Sequence, residues 1–262
     1  MKRFLSTSTL VIALVCIVST GYPISVCLAA GSQASAIEPA AMTELNKMGA
    51  YLRTLKVFQI NAVTTTDDVA DDGQVIEAGA VWDILARTPD RLRLELKSDD
   101  QHRFYFYNGK TVTIFAELAN FYATVPAPPT ITQLHTDLYE KYNIELPLSD
   151  LFYWGTSHSN SGQITSARDY GPSTIGGVTC EQYGFRQPGV DWQVWIQAGD
   201  YPLPRKLVIT TTSDAARPRH SAVLTWNLAP SFNEATFDFQ PPSDAHRITL
   251  AASTPAPGAA TK

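Results

Sequence analysis

Histidine and cysteine side chains, which bind metals and transfer protons, are scattered singly along this chain. No two of them stand at the spacing of zinc ligands. We therefore expect no metal and no cofactor, and we expect the histidines to lie on loops or on the surface. The five histidines are His102, His135, His158, His220 and His246.

Two acidic clusters have residue types that could bind calcium or act as a general acid and base. The first is Asp67–Gly73, but Ala70 and Gly79 stand where a calcium loop needs oxygen ligands. This pattern favours a solvated hairpin turn, with a calcium site as the alternative. The second cluster is Asp99–Asp100, close to His102, and adjacent aspartates at a strand end are typical of turns.

Candidate nucleophiles lack the sequence context that activates them. There is no Gly-x-Ser-x-Gly motif, and Ser173 lies in a Gly-Pro-Ser-Thr-Ile-Gly stretch that indicates a loop. Cys180 has apolar neighbours, which favours an inert buried thiol. A hydrolase built from distant residues such as Asp150 and His158 remains an alternative, but these patterns favour a protein that is not an enzyme.

The charge balance disfavours a nucleic-acid partner. The 262 residues carry a net charge of −5, from 20 basic and 25 acidic side chains. Removal of Lys2 and Arg3 with a signal peptide would leave 18 basic side chains against 25, a net charge of −7. Binding to a nucleic acid would require a basic surface stripe, so we exclude that class of partner.

The first 30 residues have the three parts of a secretory signal peptide. Lys2 and Arg3 precede the apolar run 10–18, and small residues follow around 27–30. We expect cleavage after Ala29 or Ala30, which would leave a periplasmic protein without a transmembrane span. An uncleaved anchor and a lipid attached to Cys27 are the alternatives. Cleavage would leave Cys180 without a disulfide partner.

The chain after the signal predicts one helix followed by strands. Apolar residues recur every three or four positions between Glu38 and Leu55, which predicts an amphipathic helix. Strands are predicted at 57–66, 74–86 and 91–97, and in the last of these every second residue is leucine. That strand should therefore have one buried face and one solvent-exposed face.

Three aromatic and β-branched runs between His102 and Val125 predict an antiparallel meander. Alternation with period two indicates strands, and Asn108-Gly109 between the first two runs indicates a hairpin turn whose central residues have positive φ. Both faces carry large side chains. We therefore expect each face to be covered, or one face to line a cavity.

A helical, apolar insertion separates this meander from a second group of strands. Residues 131–142 have helical periodicity, and the apolar stretch 146–154 that follows must form a lid or a plug because it cannot stay in water. Five further strands are predicted at 162–170, 178–186, 191–197, 204–212 and 220–228.

The resulting fold is mainly β, with eleven strands, six before the insertion and five after it. We divide the chain into a signal peptide (1–30), a linker (31–37), a single domain (38–250) and a disordered tail (251–262), because the tail is rich in Ala, Pro, Thr and Gly.

Several short segments resemble a family of predicted periplasmic bacterial proteins, a domain of unknown function named DUF2092. The resemblance covers residues 38–240, and it implies kinship with the LolA, LolB and LppX-like lipoprotein carriers. It also implies an antiparallel half-barrel with helices in or over its concave face, and no catalytic residues. In the lipoprotein carrier an arginine tethers the helical lid, and Arg93 corresponds to it by position alone. The alternation in its strand predicts that Arg93 points outward, which argues against that role. The segments are 41–52, 87–93, 107–111, 145–152, Trp195 and 203–206.

The leading hypothesis is a periplasmic binding or carrier protein that holds a lipid, a lipoprotein acyl chain or another apolar ligand in the half-barrel. The alternative is an interaction module whose hollow is filled by its own helices and whose rims bind an envelope protein. The predicted ligand-binding residues, taken to share one face, are Trp82, Leu92, Leu94, Leu96, Phe104, Phe106, Trp192, Val194, Leu207, Ile209 and Trp226.

Overall fold

Twelve strands form one continuous curved sheet in the computed structural model, which describes residues 36–156 and 159–252. The strands are β1 (Val57–Val69), β2 (Val75–Arg87), β3 (Arg91–Ser98), β4 (His102–Tyr107), β5 (Thr111–Ala116), β6 (Phe121–Pro126), β7 (Ser166–Ile175), β8 (Val178–Gln187), β9 (Val190–Gln197), β10 (Pro204–Thr211), β11 (Arg219–Asn227) and β12 (His246–Arg247). The helices are α1 (Pro39–Thr54), α2 (Ile131–Tyr142) and α3 (Asp150–Tyr153), with 3-10 helices at Asn160–Gln163 and Glu234–Phe237.

The sheet consists of two meanders that meet in its middle. Its order is β12-β6-β5-β4-β3-β2-β1-β11-β10-β9-β8-β7, so β1 pairs with both β2 and β11. All pairs are antiparallel except β12, which lies parallel to β6. The predicted mainly β fold, with six strands before the insertion and five after it, is confirmed. The twelfth strand has two residues, too few to produce a sequence pattern.

The predicted boundaries of β7 are wrong. The strand begins at Ser166 and includes Ser173, which pairs with Cys180 instead of lying in a loop. Pro172 is tolerated inside β7 because an edge strand needs no amide donor on its free side. A bulge between Asp169 and Gly171 interrupts the regular pairing just before this proline.

The hairpin between β4 and β5 is present, but its turn differs from the predicted one. Tyr107 pairs with Val112, and the side chain of Asn108 accepts hydrogen bonds from the amides of Lys110 and Thr111. Gly109 has a φ of 81°, whereas Asn108 is not among the described residues with positive φ. Asn108 therefore stabilises the turn through its side-chain oxygen, in the manner of an Asx turn.

Three helices cover one face of the sheet, which we call the concave face. Residues paired directly across strands share a face, and the buried row Ile60, Ile84, Leu94 and Tyr105 crosses β1 to β4 on this side. The helices add buried apolar residues to the same core: Ala41, Leu45, Met48, Leu52, Leu134, Leu138 and Leu151. Helix α1 begins at Pro39, whose missing amide hydrogen is not needed in the first turn.

Phe104 and Phe106 lie on the opposite, convex face, so the prediction that they share a face with Leu92 and Leu94 is wrong. The register pairs Phe104 with Glu95 and Phe106 with Arg93, both of which point away from the helices. The Arg93 guanidinium lies 5.5 Å from the Phe104 ring centre. Four consecutive aromatic residues carry no parity signal, and only the register of β3 against β4 decides which pair is inside.

The convex aromatic side chains support the C-terminal segment 228–248, which we call the C-terminal strap. The Phe239 ring centre lies 5.3 Å from those of both Phe106 and Phe115, and 5.1 Å from that of Tyr122. Phe237 is 1% exposed, and the strap ends in β12 against β6. Of the two expected alternatives for this meander, a cover on each face or a cavity along one face, the structure therefore has the first.

Some predictions concern residues outside the described ranges. The signal peptide, most of the linker, His158 and residues 253–262 belong to this part of the sequence. In the described ranges, no helix has the combination of length and apolar character needed to cross a bilayer.

A leucine-to-alanine substitution should cost much more stability in the core than on the surface. Leu94 is 1% exposed and Leu118 is 68% exposed. We expect Leu94→Ala to lower the free energy of unfolding by about 2–5 kcal/mol, because it removes buried contacts and leaves a cavity. The same change at Leu118 should alter it by less than about 0.5 kcal/mol. Urea unfolding of both variants measures this difference, and equal effects would contradict the assigned core.

Candidate ligand-binding site

The insertion formed by α2 and α3 lies over the concave face of the sheet. Helix α2 begins after Thr130, whose side-chain oxygen accepts a hydrogen bond from the Gln133 amide, and it ends at Asn143 in the left-handed conformation. Leu134 and Leu138 of α2 and Leu151 of α3 are buried in the main core. The apolar stretch predicted to be a lid or a plug is therefore packed against the sheet.

Helix α1 holds the end of this insertion at close range. A Cβ atom on Gly49 would lie 3.0–3.1 Å from backbone atoms of Trp154 and Gly155, so glycine permits the approach. Arg53 donates a hydrogen bond to the Trp154 carbonyl oxygen at 3.1 Å. The Trp154 ring in turn stacks on Trp192 of β9 at 6.2 Å between ring centres. The insertion is thus fixed between α1 and the sheet.

Two adjoining cavities lie between the insertion and the sheet. Their volumes are about 500 Å³ and 870 Å³, within the range of roughly 300–1,000 Å³ that is usual for small-molecule sites. We call them the first and the second cavity. Both are lined by Glu145, Ser149, Asp150, Leu207 and Ile209, so the segment between Glu145 and Asp150 forms their common wall.

Five of the predicted ligand-binding residues line these cavities. The first cavity contacts Trp192, the second contacts Trp82 and Leu96, and both contact Leu207 and Ile209. They come from β2, β3, β9 and β10, which the sheet places on either side of its centre. Their role toward a ligand stays a prediction, but the structure brings them together.

The other predicted residues do not line either cavity. Leu92, Leu94 and Val194 are at most 1% exposed and pack against the helices. Trp226 contacts Phe58, and its indole N–H donates to the Pro204 carbonyl at 2.8 Å. Phe104 and Phe106 lie under the C-terminal strap, as described above. A side chain on the concave face therefore does not necessarily line a cavity.

Sequence reasoning missed the polar part of the cavity walls. Seven carboxylic side chains line the two cavities, and no described lining residue is Lys or Arg. Four of the seven were assigned separately, Asp68, Asp99 and Asp100 to two turns and Asp150 to an alternative hydrolase, because their sequence positions lie far apart. We call this set the cavity carboxylates: Asp68, Glu77, Asp99, Asp100, Glu140, Glu145 and Asp150.

The protein environment shifts the pKa values of several groups in the walls. Burial among protein atoms raises the pKa of the Asp150 carboxyl, although solvent reaches the residue; nearby His135 opposes this rise and Glu145 adds to it. Burial lowers the pKa of both His135 and His220, and Glu145 opposes both shifts. Glu145 is therefore coupled to a titratable group on each side of the common wall.

Each wall histidine has a hydroxyl partner. The His135 Nδ1 atom lies 2.8 Å from the Tyr153 hydroxyl oxygen, and the His220 Nδ1 atom lies 2.8 Å from the Thr66 hydroxyl oxygen. In residues 36–156 and 159–252, no group of three or more His, Cys, Asp or Glu residues is placed to hold a metal ion. Cys180 is 0% exposed and lies outside both cavities, and burial raises its pKa, which disfavours the reactive thiolate.

Comparisons with solved structures give likenesses at low sequence identity. An uncharacterized conserved protein from Thermus thermophilus is 14% identical with a TM-score of 0.47, over 80% of this chain and 99% of that one. The Mycobacterium tuberculosis lipoprotein LppX is 13% identical with a TM-score of 0.45, over 75% and 100%. A LolA superfamily protein from Nitrosomonas europaea is 10% identical with a TM-score of 0.37, over 76% and 97%.

A family model covers most of the chain. The model described as "Predicted periplasmic protein (DUF2092)" matches residues 41–251, which include every segment that carries the resemblance found in the sequence. This match confirms that resemblance and the predicted periplasmic localisation. No curated protein matches the chain.

Enlarging Gly49 should test how closely α1 packs against the insertion. We expect Gly49→Leu to lower the free energy of unfolding by about 1–3 kcal/mol, because the new side chain collides with the backbone at Trp154. Helix propensity alone would favour leucine here. The control is Gly162→Leu, where an added Cβ meets nothing within 4 Å. Stability of the Gly49 variant at or above that of the control, in urea unfolding, would disprove the close contact.

The half-buried histidines His135 and His220 should make the protein less stable in mild acid. Burial holds the pKa of His135 and His220 below the ordinary value of 6.5, so the unfolded chain binds these protons more tightly. Their contribution to stability is present above pH 6.5 and is lost as the pH falls below it.

We expect the double variant His135→Gln/His220→Gln to lose less stability than the wild type between about pH 7 and pH 5. Urea unfolding at several pH values measures the slope. His246→Gln, at an exposed position, is the control and should keep the wild-type slope. A wild-type slope in the double variant would show that these two histidines do not cause the effect.

Proposed function

The chain belongs to the DUF2092 family of predicted periplasmic proteins, and we propose that it binds or carries a lipid, a lipoprotein acyl chain or another apolar ligand, without catalysis. The observation that supports this proposal is the pair of adjoining cavities between the insertion and the concave face. Both cavities have walls of aliphatic and aromatic side chains, including Trp82, Trp192 and Ile209. Such walls suit an acyl chain.

The expected gain from burying an acyl chain is sufficient for binding. Each methylene moved from water into an apolar wall contributes about 0.8 kcal/mol, so ten of them contribute about 8 kcal/mol. This gross gain corresponds to a dissociation constant of about 1 μM before the entropy cost of association is subtracted. A chain longer than ten carbons would therefore be needed for tight binding through the apolar walls alone.

A second candidate function is an interaction module for an envelope protein. It is supported by the helices themselves, since Leu45, Met48 and Leu138 already fill part of the concave side. It is also supported by an apolar row on the convex face, where the exposed valines Val81, Val63 and Val223 are cross-strand neighbours. In that case the cavities would hold water, and the convex row would contact the partner.

Native mass spectrometry of protein purified from the periplasm without detergent distinguishes the two functions. The first predicts an adduct with the mass of an acyl-chain compound, which organic solvent releases. A bare polypeptide mass, together with no uptake of added phospholipid or fluorescent fatty acid, would contradict the first function. A partner protein retained after delipidation would then support the second.

A cavity-filling variant should block uptake without unfolding the protein. Ala80 lines the second cavity, and Val81 beside it points to the convex face and is 42% exposed. We expect Ala80→Trp to reduce the fraction of protein that carries the adduct by about tenfold or more, because the indole occupies the space of the chain. Val81→Trp is the matched control and should retain the adduct. Equal occupancy in both variants would place the ligand elsewhere.

A further inference from the structure

Three exposed valines form a continuous row on the convex face of the sheet. Val81 of β2, Val63 of β1 and Val223 of β11 are paired directly across neighbouring strands. The α-helices cover the opposite face, and the C-terminal strap packs on the aromatic residues of β4, β5 and β6 instead. A contiguous apolar surface that stays exposed and is bordered by polar residues is typical of a contact with a partner.

A lysine stands at each end of this row. Lys97 of β3 pairs with Val81, and Lys206 of β10 pairs with Val223. Neither lysine forms an ion pair with another described residue. The Lys206 Nζ atom lies 4.9 Å from the centre of the Trp195 ring, a cation–π contact that holds this charge at the end of the row. We call the three valines and the two lysines the lysine-flanked row.

The carboxylates beside the lysine-flanked row already have a cationic partner. Asp83 follows Val81 by two residues and Glu95 precedes Lys97 by two, so both lie on the same face as the row. The Arg93 guanidinium lies 3.0 Å from the Glu95 carboxylate and 4.0 Å from that of Asp83. On the other side, the neighbouring residues are neutral: Thr65, Gly79 and Ser221. In the described part of the chain, the unpaired charges that border the valines are therefore those of the lysines.

We infer that the lysine-flanked row docks a separate protein, whose contact segment carries apolar side chains between carboxylates that meet Lys97 and Lys206. The two lysines are four strand spacings apart, about 19 Å between their Cα atoms. Charges placed in this way select a complementary partner and speed its encounter, while the valines supply the apolar contact. The inference goes beyond the proposed function, since the row lies opposite the cavities and acts whether or not they hold a ligand.

The charges of the row disfavour other occupants. The terminal segments 1–35 and 253–262, which lie outside the described ranges, contain no Asp or Glu, so they supply no carboxylate. A second copy that aligned its row with this one would set lysine against lysine at both ends. An anionic membrane would be repelled by Asp67 and Glu77, cross-strand neighbours further along the same face. A different protein with carboxylates is therefore the occupant that fits.

Photocrosslinking in the periplasm identifies what contacts the row. The photoreactive residue p-benzoylphenylalanine replaces Val63 in the full-length protein, produced in its own bacterium, and mass spectrometry maps the crosslinked segment. We expect a segment of one other protein, in which carboxylates flank apolar residues. A crosslink to lipid, to a second copy of the chain or to a segment without carboxylates would overturn the inference, and so would the absence of any crosslink.

Charge variants test the role of the two lysines. Lys97→Glu/Lys206→Glu should lower the crosslink yield about tenfold or more, because attraction becomes repulsion at both ends of the row. Lys97→Arg/Lys206→Arg keeps both charges and should retain at least about half of the yield. The matched control is Lys56→Glu/Lys110→Glu, which makes the same change of charge at exposed positions outside the row and should keep the wild-type yield. Equal yields in the first variant and the control would overturn the inference.

A synthetic peptide with the sequence of the mapped segment separates lost binding from lost folding. Isothermal titration calorimetry with the wild-type protein should show a dissociation constant that rises at least about threefold between about 0.05 M and 0.5 M salt, which screens the charges. A constant that does not change would overturn the inference. Urea unfolding shows whether Lys97→Glu/Lys206→Glu folds. If it folds, a peptide with lysines in place of its carboxylates should bind this variant better than it binds the wild type, and the reverse order would overturn the inference.

The failures of the two proposals give different results. An acyl-chain adduct without a crosslink at Val63 supports the proposed function and overturns this inference. A crosslink to an acidic segment, together with a bare polypeptide mass and no lipid uptake, supports this inference and contradicts the proposed function.

Discussion

The apolar side chains on the concave face of the sheet must be withdrawn from water, and this requirement sets the positions of all three α-helices. A buried row such as Ile60, Ile84 and Leu94 runs across the strands, and no second sheet covers it in the described part of the chain. Helix α1 and the insertion cover it instead. Because α1 approaches the insertion at Gly49 and the insertion stacks on Trp192, the helices and the sheet determine one another's positions. The cavities are the volume that this arrangement leaves unfilled.

The fold could be predicted wherever one strand or helix carries its own signal. The alternating leucines at 92, 94 and 96 define β3 and its buried face without any knowledge of its neighbours. The same approach fails at Phe104 and Phe106, because Tyr105 and Tyr107 are equally large. Only the register of β4 with β3 determines which of the two pairs faces the helices. It fails again at β7, where Pro172 looks like a break until the strand is known to lie at an edge.

The candidate site was predictable only in its apolar half. Trp82, Trp192 and Ile209 follow from strand parity, since residues of the correct parity on neighbouring strands must share the concave side. The acidic half comes from the paired ends of β1 and β2, from the turn after β3 and from the helical insertion, and the sequence contains no local pattern that brings Asp68, Asp99 and Asp150 together. Their convergence is a property of strand lengths and of the path of the insertion, so it requires coordinates.

An open sheet has two edge strands, and here the two ends of the described chain each cover one of them. Ile37 makes a parallel bridge with Ala167 of β7, and β12 lies parallel to the start of β6. Beyond the bridge, the bulge and Pro172 distort what remains of β7. Neither edge therefore offers a long, regular row of free amides and carbonyls for strand addition by a second copy of the chain. By pairing with the edge strands, the ends of the described chain hinder edge-to-edge polymerisation. A closed barrel avoids such polymerisation because it has no edges.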